Sequence, residues 1–272
     1  MTIAPKSAKL PVSCYIRTLN EQRLIGKVLE AIVDVVDEVV LVDCGSTDKT
    51  LELAAATGAR VVKQPWLGGG FQKRVGEEAC RHDWVLDLDA DEVITPELAA
   101  ELRYLFEAGE PTESVYELKL VTAPPVGEPW YNIRLDFRNK LYDRRRFRMP
   151  EHKAWDQLEL PPGTRIGKLK GAILHYSFRD FEHYVDKLNR VSSRRAADGK
   201  KKSVGQIRLR LIFGPAFYFF KAFIMRGLWR AGLYGLVLAR LSALSRWLRD
   251  AKLYEAARRE QLVARFFNEA RA

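Results

Sequence analysis

The sequence predicts an α/β fold, in which helices cover a mostly parallel sheet, followed by a basic and amphipathic helical region. Strand-like and helix-like segments alternate through the first third of the chain. Acidic residues gather where one apolar run ends, and positive charge is concentrated in the last part of the chain. Because strand–helix–strand units cross over in a right-handed sense and pair in parallel, the alternation predicts a parallel sheet with helices packed on it.

The first two strand–helix units come before Gly58. LPVSCYI is rich in residues that favour strands, and the helix after it has one apolar face. That face consists of Leu24, Val28, Leu29 and Ile32. A short apolar run, DEVVLVD, has the composition of a buried parallel strand. Ser46 or Thr47 can cap the helix that follows, and Gly58 can end it.

Two more units complete the alternation. ARVVKQP predicts a third strand, the glycines at 68–70 open a helix, WVLDLDAD predicts a fourth strand, and Pro96 suits the first turn of the next helix. Residues 111–178 have no clear period apart from the strand-like SVYELKLV, so we expect loops of the same domain there. The sequence therefore predicts a first domain of residues 1–190 and a C-terminal basic helical region of residues 191–272.

Positive charge separates the end of the chain from the rest. Residues 190–272 hold 19 Lys and Arg against 5 Asp and Glu, whereas residues 1–189 hold 26 against 30, within a net charge of +10. The uncharged run 211–220 is much shorter than the ~20 residues that a membrane-spanning helix needs. A further apolar stripe consists of Leu233, Val237, Leu241, Leu244 and Leu248. Basic helices with an apolar face are typical of anionic membrane surfaces; nucleic acid is the other acidic partner that the charge allows.

Composition sets broad limits on the class of protein. A chain of 272 residues, 47% of them hydrophobic, can bury a sizeable core. Its beginning lacks a basic start followed by an apolar stretch, so we expect no secretory signal peptide. Cys14, Cys44 and Cys80 are far apart and form no CxxC pair, which fits a reduced compartment and argues against a zinc site or a disulfide framework.

The acidic cluster lies where the fourth predicted strand ends. Asp89 and Asp91 are two residues apart there, at the edge of an α/β sheet where ligands bind. Two carboxylates at this spacing can hold one Mg²⁺ or Mn²⁺, with a diphosphate completing its coordination. The ion would also neutralise the cluster, in which Glu92 fits a structural role. The alternative is a solvated acidic turn that caps the next helix, but the position at the end of this strand favours the metal.

Two other elements lie at the same predicted edge. Asp43 ends the second strand, where its carboxylate can accept a hydrogen bond from a base or a ribose, or can cap the following helix. The glycines at 68–70 precede Lys73 and Arg74. Glycine permits close approach of a backbone, and the cations can meet a phosphate. Neither element is specific by itself.

Together these segments resemble glycosyltransferase family 2, whose members have the GT-A fold. The resemblance is carried by CYIRTLNE at the first strand, VDCGSTDKT at the second, PWLGGGFQKR after the third and LDLDADE at the fourth. With LKGAILHYS further on, the chain is more narrowly similar to the lipopolysaccharide-core glycosyltransferases of Gram-negative bacteria. The similarity runs over about residues 11–190.

The resemblance implies donor-binding side chains at the ends of these strands. An acid would contact the base of a nucleotide sugar, a threonine and a glutamate would line the base pocket, and two aspartates would hold Mg²⁺ or Mn²⁺ with the donor diphosphate, close to a lysine. In this sequence these residues are Asp43 for the base, Thr18 and Glu21 for the pocket, Asp89 and Asp91 for the metal and diphosphate, and Lys73.

The resemblance also implies a catalytic base. The family usually carries an acid directly after a histidine in this region; here Asp156 aligns with the acid, and Trp155 replaces the histidine. Because of that departure, Glu151 is a second candidate for the base. His175 and Tyr176 can be structural or can line the acceptor site, and a histidine beside an apolar strand is more often structural.

These inferences predict an inverting, metal-dependent glycosyltransferase at the cytoplasmic face of the inner membrane. It would move a sugar from a nucleotide-sugar donor to a lipid-linked glycan acceptor, in lipopolysaccharide core biosynthesis. A polyisoprenyl-phosphate sugar synthase is the nearest alternative, and a nucleotidyltransferase would share the sheet and the metal. The non-enzyme alternative is a nucleic-acid-binding protein that uses the basic tail. Since the charges of the tail are interleaved with long apolar runs, an anionic membrane surface fits better, and we expect no nucleic acid partner.

Overall fold

The computed structural model describes residues 8–133, 136–153, 155–197 and 203–269, with residues 263–269 described by their backbone alone. Within this part the chain forms two compact units. The first unit comprises the residues up to 123 together with 135–177, and the second comprises 124–134 together with the residues from 178 onward.

Eight strands of the described residues form one sheet in the first unit. They are β1 (Leu10–Thr18), β2 (Val36–Asp43), β3 (Arg60–Lys63), β4 (Trp84–Asp89), β5 (Glu92–Ile94), β6 (Val115–Thr122), β7 (Asp136–Asp143) and β8 (Gly167–His175). Their order in the sheet is β3-β2-β1-β4-β7-β6-β8-β5. β1 to β4 are parallel, whereas β7 pairs antiparallel with β4 and β6, and β5 pairs antiparallel with β8. The sheet is therefore mixed: the sequence predicts the parallel strands β1 to β4 and also β6, whereas β5, β7 and β8 are additional.

Four helices belong to the first unit as described. They are α1 (Ile25–Ile32), α2 (Thr50–Ala56), α3 (Gly69–Ala79) and α4 (Pro96–Leu105). The predicted apolar face of α1 is buried in the core against the sheet. Pro96 is in the first turn of α4, as predicted, and the Thr95 side chain caps that helix by accepting from the Leu98 N–H.

The start of α2 differs from the prediction. The helix begins at Thr50, so neither Ser46 nor Thr47 caps it. The Ser46 hydroxyl donates instead to Asp43, at 2.5 Å, and the Thr47 N–H donates to the Asn20 side chain, at 2.8 Å. These side chains therefore fix the loop after β2 rather than the helix.

Among the described residues, the second unit contains three α-helices. They are α5 (Phe181–Ala197), α6 (Val204–Phe220) and α7 (Gly232–Glu269). α6 begins with a capping box, in which the Ser203 and Gln206 side chains each accept from the other's backbone N–H. A π-helical turn, Lys221–Met225, follows it directly, and Gly227 then adopts a left-handed conformation.

The boundary between the units differs from the one expected after residue 190. Helix α5 lies wholly in the second unit because it packs along α7. Residues 124–134 also belong to that unit, and in it the ring of Trp130 lies 6.2 Å from the ring of Tyr234. This boundary thus depends on contacts between segments that are distant in sequence. Such contacts cannot be predicted from composition.

No single helix among the described residues has the length and apolar character to cross a bilayer. Two consecutive helical segments, Val204–Met225 and Leu228–Leu262, together reach that length and apolar character. The chain bends by 73° between them.

Candidate active site

The carboxyl ends of the parallel strands β1, β2 and β4 lie side by side. In the register of the sheet, Thr18 at the end of β1 is opposite Asp43 on β2, and Arg17 is opposite Asp89 on β4. The preceding residues of these strands are almost all buried, so the strands are fixed by the core. Polar side chains therefore meet at one edge, where ligands bind in sheets of this kind.

The acidic cluster at this edge is balanced by lysines of the protein itself. Lys73 Nζ on α3 lies 2.7 Å from Asp87, and Lys140 Nζ on β7 lies 2.7 Å from Glu92. Both ammonium groups also approach Asp89, at 3.8 and 3.7 Å. The side chains of both lysines are buried, so little water screens these interactions.

The titration of the cluster follows from these contacts. Burial opposes the charged form of Lys140, but Asp87, Glu92 and Asp89 outweigh it and raise its pKa. Burial likewise opposes the charge of Asp89, but Lys73, Lys140 and Arg17 hold its pKa well below the usual value. The chain itself therefore supplies part of the charge that compensates the cluster, and its neutralisation by a divalent ion stays a prediction.

Asp91 and His175 form a separate pair at the end of β4. His175 Nε2 lies 3.4 Å from Asp91 Oδ2, and the antiparallel pairing of β5 with β8 places His175 opposite Glu92. The Tyr176 N–H donates to the Asp91 carbonyl at 2.9 Å, which fixes the turn. Burial opposes the charge on His175, but the hydrogen bond that the imidazole donates to Asp91, together with the negative charges of Asp91, Glu92 and Asp89, outweighs it and raises its pKa. His175, which the sequence favours as structural, thus faces the acidic motif directly.

The side chains of Asp91 and His175 offer ligand atoms that fit a divalent metal ion. No group of three or more His, Cys, Asp or Glu side chains arranged for a metal occurs within the described ranges. Asp91 and His175 nevertheless present a carboxylate oxygen and an imidazole nitrogen to each other, and ions such as Mg²⁺ or Mn²⁺ often take few protein ligands together with substrate phosphates. Asp89 contacts three cationic side chains, so Asp91 with His175 fits the ion better than Asp89 with Asp91.

Arg17 joins the acidic motif to the predicted base. Its Nε lies 2.7 Å from Asp89 Oδ1, and its NH2 group lies 2.9 Å from Asp156 Oδ2. Asp156 is thereby brought next to the acidic cluster although it is 67 positions away from Asp89. Glu151 is exposed and forms no ion pair within the described part of the chain. The structure therefore brings Asp156, and not Glu151, together with the other site residues.

The glycine-rich turn before α3 contacts the segment that carries Asp156. The Gly69 and Gly70 N–H groups donate to the carbonyls of Lys153 and His152, at 2.9 and 3.0 Å. A Cβ on Gly70 would lie 2.4 Å from two carbonyl oxygens of this segment. The close backbone approach that glycine permits is thus used to hold the segment before Asp156, and these two N–H groups are not turned toward a phosphate.

The predicted base pocket lies between the loops that follow β1 and β2. The Asp43 carboxylate accepts from the N–H groups of Gly45 and Ser46, at 2.9 and 3.0 Å, so it fixes its own turn. The Glu21 N–H donates to the Thr50 hydroxyl at 2.8 Å, which ties the two loops together. Thr18 Oγ1 is buried and has no hydrogen-bond partner among the described residues. The contact of Thr18 with a base stays a prediction.

The contacts of Asp43 and Lys73 modify their expected roles. Asp43 does not cap helix α2 as the capping alternative expected; it accepts hydrogen bonds within the loop after β2, and its contact with a base stays a prediction. Lys73 points into the acidic cluster, so its contact with a diphosphate also stays a prediction.

Two residues were not singled out by the sequence, Arg17 and Lys140. Arg17 carries a local signal, because it is a charged residue inside an otherwise strand-like run, whereas Lys140 lies in a charge-rich segment that gives no such signal.

A family model decides the class of this protein. The model described as glycosyl transferase family 2 matches residues 13–159, more than half of the 272 residues. The chain belongs to glycosyltransferase family 2. The mixed sheet of its first unit, with flanking helices, is the GT-A fold that the resemblance implied. The part of this glycosyltransferase that the model matches includes Arg17, Asp91 and Asp156, whereas His175 lies beyond it.

Relatives of this family 2 glycosyltransferase agree with the assignment. An uncharacterized glycosyltransferase of Rickettsia bellii is 33% identical over 258 residues, which cover 90% of this chain and 86% of that protein. The lipopolysaccharide core biosynthesis glycosyltransferase LpsC of Rhizobium meliloti is 29% identical over 91% of this chain and 93% of its own. A crystal structure of glucosyl-3-phosphoglycerate synthase from Mycobacterium tuberculosis matches at 27% identity with a TM-score of 0.34, over 41% of this chain and 44% of that chain. The structural likeness is thus local to less than half of either chain.

Proposed function

We propose that this glycosyltransferase is an inverting, metal-dependent enzyme that transfers a sugar from a nucleotide-sugar donor to a lipid-linked glycan acceptor in lipopolysaccharide core biosynthesis. Its membership of family 2 supports the reaction class. Its similarity to LpsC, over most of both chains, supports the lipopolysaccharide core as the acceptor class. A nucleic acid partner is not part of the proposal.

One observation carries the mechanism: a single guanidinium, that of Arg17, touches both Asp89 and Asp156. Asp156 is thereby fixed beside the edge where the donor binds. In the proposed reaction the acceptor hydroxyl gives its proton to Asp156 while its oxygen bonds to the anomeric carbon of the sugar. The bond from that carbon to the diphosphate breaks, and the nucleotide diphosphate leaves with the electron pair. A single attack on the face opposite the leaving group inverts the configuration.

The chain contributes to this reaction mainly by charge and position. When bound, a divalent ion held by Asp91 and His175 would stabilise the negative charge that develops on the leaving diphosphate. Arg17 holds Asp156 in place, which lowers the cost of orienting the base. Lys73 and Lys140 keep Asp89 ionised inside the protein. The charge at this edge of the sheet is therefore in place before substrates bind.

We also propose that the second unit places the enzyme on the cytoplasmic face of the inner membrane. An exposed apolar face of α6, called the α6 face below, supports this location, and it consists of Leu209, Ile212, Phe213, Phe217 and Phe220. On α7, Leu233, Val237 and Leu244 of the predicted stripe are exposed too, while the helix buries other residues. Apolar side chains that the fold leaves exposed beside many basic ones fit a membrane surface.

The decisive experiment is a screen of nucleotide sugars, read by release of the nucleotide with Mn²⁺, with Mg²⁺ and with EDTA. We expect one donor to be hydrolysed slowly alone and faster when a lipopolysaccharide core acceptor is added. A polyisoprenyl phosphate serves as the competing acceptor. Stimulation by that lipid and not by the core would replace the proposed acceptor, and undiminished turnover in EDTA would contradict the metal.

The Asp91→Ala variant tests the metal ligand within the same screen. We expect it to lose transfer and Mn²⁺-dependent nucleotide binding while its thermal unfolding stays close to that of the unchanged protein, since Asp91 lies in a turn outside the core. Asp186→Ala, in the second unit, is the matched control. Full transfer by Asp91→Ala would remove Asp91 from the metal site.

A further inference from the structure

A group of arginines in the second unit carries more positive charge than the carboxylates around it balance. Its members are Arg195 on α5, Arg226 directly after the π-helical turn, and Arg246 and Arg249 on α7. Apart from Arg249, none of them forms an ion pair within the part of the chain that the structure describes. Arg226, Arg246 and Arg249 are partly buried, so water neutralises their charges incompletely.

The carboxylate that pairs with the group, Asp250 on α7, already has several partners. It lies 2.8 Å from Arg249 and 3.0 Å from Arg210, and the Tyr218 hydroxyl donates to it at 2.7 Å. Asp250 is almost completely buried and joins α6 to α7 through these bonds. Its single negative charge is therefore shared by two arginines and does not balance the rest of the group.

The lack of compensating negative charge is clearest at Arg226 and Arg246. Arg226 Nε is buried without any hydrogen-bond partner among the described residues. The Arg246 guanidinium lies 5.8 Å from the centre of the Tyr218 ring, which offsets only part of a positive charge. Burial, followed by the charges of Arg226, Arg195 and Arg249, lowers the pKa of Arg246. The charges of the group thus act on one another, and among the described residues no carboxylate other than Asp250 forms an ion pair with any of them.

Buried like charges and an unsatisfied guanidinium nitrogen are costly in a folded protein. An anionic ligand with several oxygen acceptors would remove both costs, and a phosphoryl group suits the planar donors of two arginines. The residues around Arg226 indicate what carries that group. Ile224 and Met225 before it and Trp229 after it are all exposed, so an apolar surface adjoins the arginines. A π-helical turn directly before Arg226 is a feature often found at functional sites.

We propose that Arg226 and Arg246 form a binding site for the phosphoryl group of a membrane lipid, whose acyl chains lie along the apolar surface beside them. The proposal rests on the membrane location proposed above and specifies it. Attraction of basic residues to an anionic surface is diffuse, whereas this site predicts that two arginines matter more than others of equal charge.

The test compares vesicle binding of the full-length protein with that of two double variants. Arg226→Gln with Arg246→Gln removes the site. Arg240→Gln with Arg258→Gln removes the same charge from two exposed positions of α7 and is the matched control. Binding is measured by vesicle sedimentation with phosphatidylcholine alone and with phosphatidic acid added. We expect the first variant to lose affinity for the phosphatidic acid vesicles by about tenfold or more. The control should lose about twofold to fivefold.

Thermal unfolding without lipid separates loss of the site from loss of the fold. Because the site variant removes unbalanced charge, it should unfold at the same temperature as the unchanged protein or higher. Inorganic phosphate, the soluble probe for the same chemistry, should raise the unfolding temperature of the unchanged protein and not that of the site variant.

The other outcomes overturn the proposal in distinguishable ways. Equal losses in both double variants would mean diffuse attraction to the membrane without a site. Equal binding to neutral and anionic vesicles would leave the membrane location standing and remove the phosphoryl site. Stabilisation by inorganic phosphate without vesicle binding would assign the arginines to a soluble phosphate, and both the lipid and the membrane location would fail.

Discussion

Asp156 can be tested as the base because Glu151 offers a comparison in the same segment. Asp156→Asn should lower the rate of transfer by roughly a hundredfold to ten-thousandfold, the usual contribution of a general base. Donor binding should change little, since the proton comes from the acceptor. Glu151→Gln should remain active because Glu151 is exposed and has no ion pair among the described residues. Turnover and the dissociation constant of the nucleotide are measured for both; a reversed pattern would assign the base to Glu151.

Lys140 gives a prediction about stability rather than chemistry. Lys140→Met leaves Glu92, Asp87 and Asp89 with less compensating charge inside the protein. Breaking such a buried network on one side should lower the free energy of unfolding by about 3–5 kcal/mol, measured by denaturant titration. Lys168→Met, whose exposed ammonium pairs with Glu117, should cost only about 0–1 kcal/mol.

A second substitution distinguishes lost charge balance from lost packing at Lys140. Adding Glu92→Gln removes one of the carboxylates that Lys140→Met leaves unpaired, so the double variant should recover part of the lost stability. No recovery would mean that the fit of the lysine side chain, and not its charge, stabilises this part of the sheet.

Local patterns predicted Asp89 and Asp91 as site residues, and alignment with the family predicted Asp156 although Trp155 replaces the usual histidine. They did not identify Arg17 or Lys140, because the role of each depends on a partner across the sheet that no local pattern specifies. His175 was interpreted as structural, since its neighbour Asp91 lies 84 positions earlier and becomes adjacent only when β5 pairs with β8. Charges that compensate each other through pairing are thus the hardest part of this site to predict.

Among the elements, the turn before α3 is the one whose role the structure changes. A Cβ on Gly70 would collide with the carbonyl oxygens of Pro150 and Trp155, both at 2.4 Å, so Gly70→Ala must move the segment that leads to Asp156. We expect turnover to fall by roughly a hundredfold, because small displacements of a catalytic group are costly, while nucleotide binding weakens less. Turnover and nucleotide affinity are measured on the same preparation.

Gly26 supplies the control for that substitution. A Cβ there would meet nothing within 4 Å, and the residue lies in helix α1. Gly26→Ala should keep full turnover and gain up to about 1 kcal/mol of stability from its better helix propensity. Equal loss of nucleotide affinity and turnover in Gly70→Ala would instead favour a direct role of the turn in binding the donor.

The elements that the sequence predicts are those built from neighbouring segments. β1 to β4 and their helices alternate at short spacing, so periodicity and turn residues specify them. β7 and β8 lie among Pro, Gly and Arg residues, and they become strands by pairing with β4 and β6, which are distant in the chain. Tertiary pairing overrides weak local preference there, which is why no pattern indicated them.

The chain as a whole combines a sheet that carries the candidate active site with a basic helical unit, which in our proposal holds the enzyme on a membrane. In that location positive charge would attract the unit to anionic lipid, and the α6 face would add burial of apolar area. We therefore expect high salt to release only part of the protein from inner membranes and detergent to release the rest. Phe213→Gln, at 63% exposure, should make the salt-released fraction much larger, whereas Tyr104→Gln, at 78% exposure on α4, should not. The fractions are quantified by immunoblot after sedimentation. Complete release of the unchanged protein by salt alone would leave electrostatic attraction as the whole of the membrane contact, and the α6 face would then need another partner.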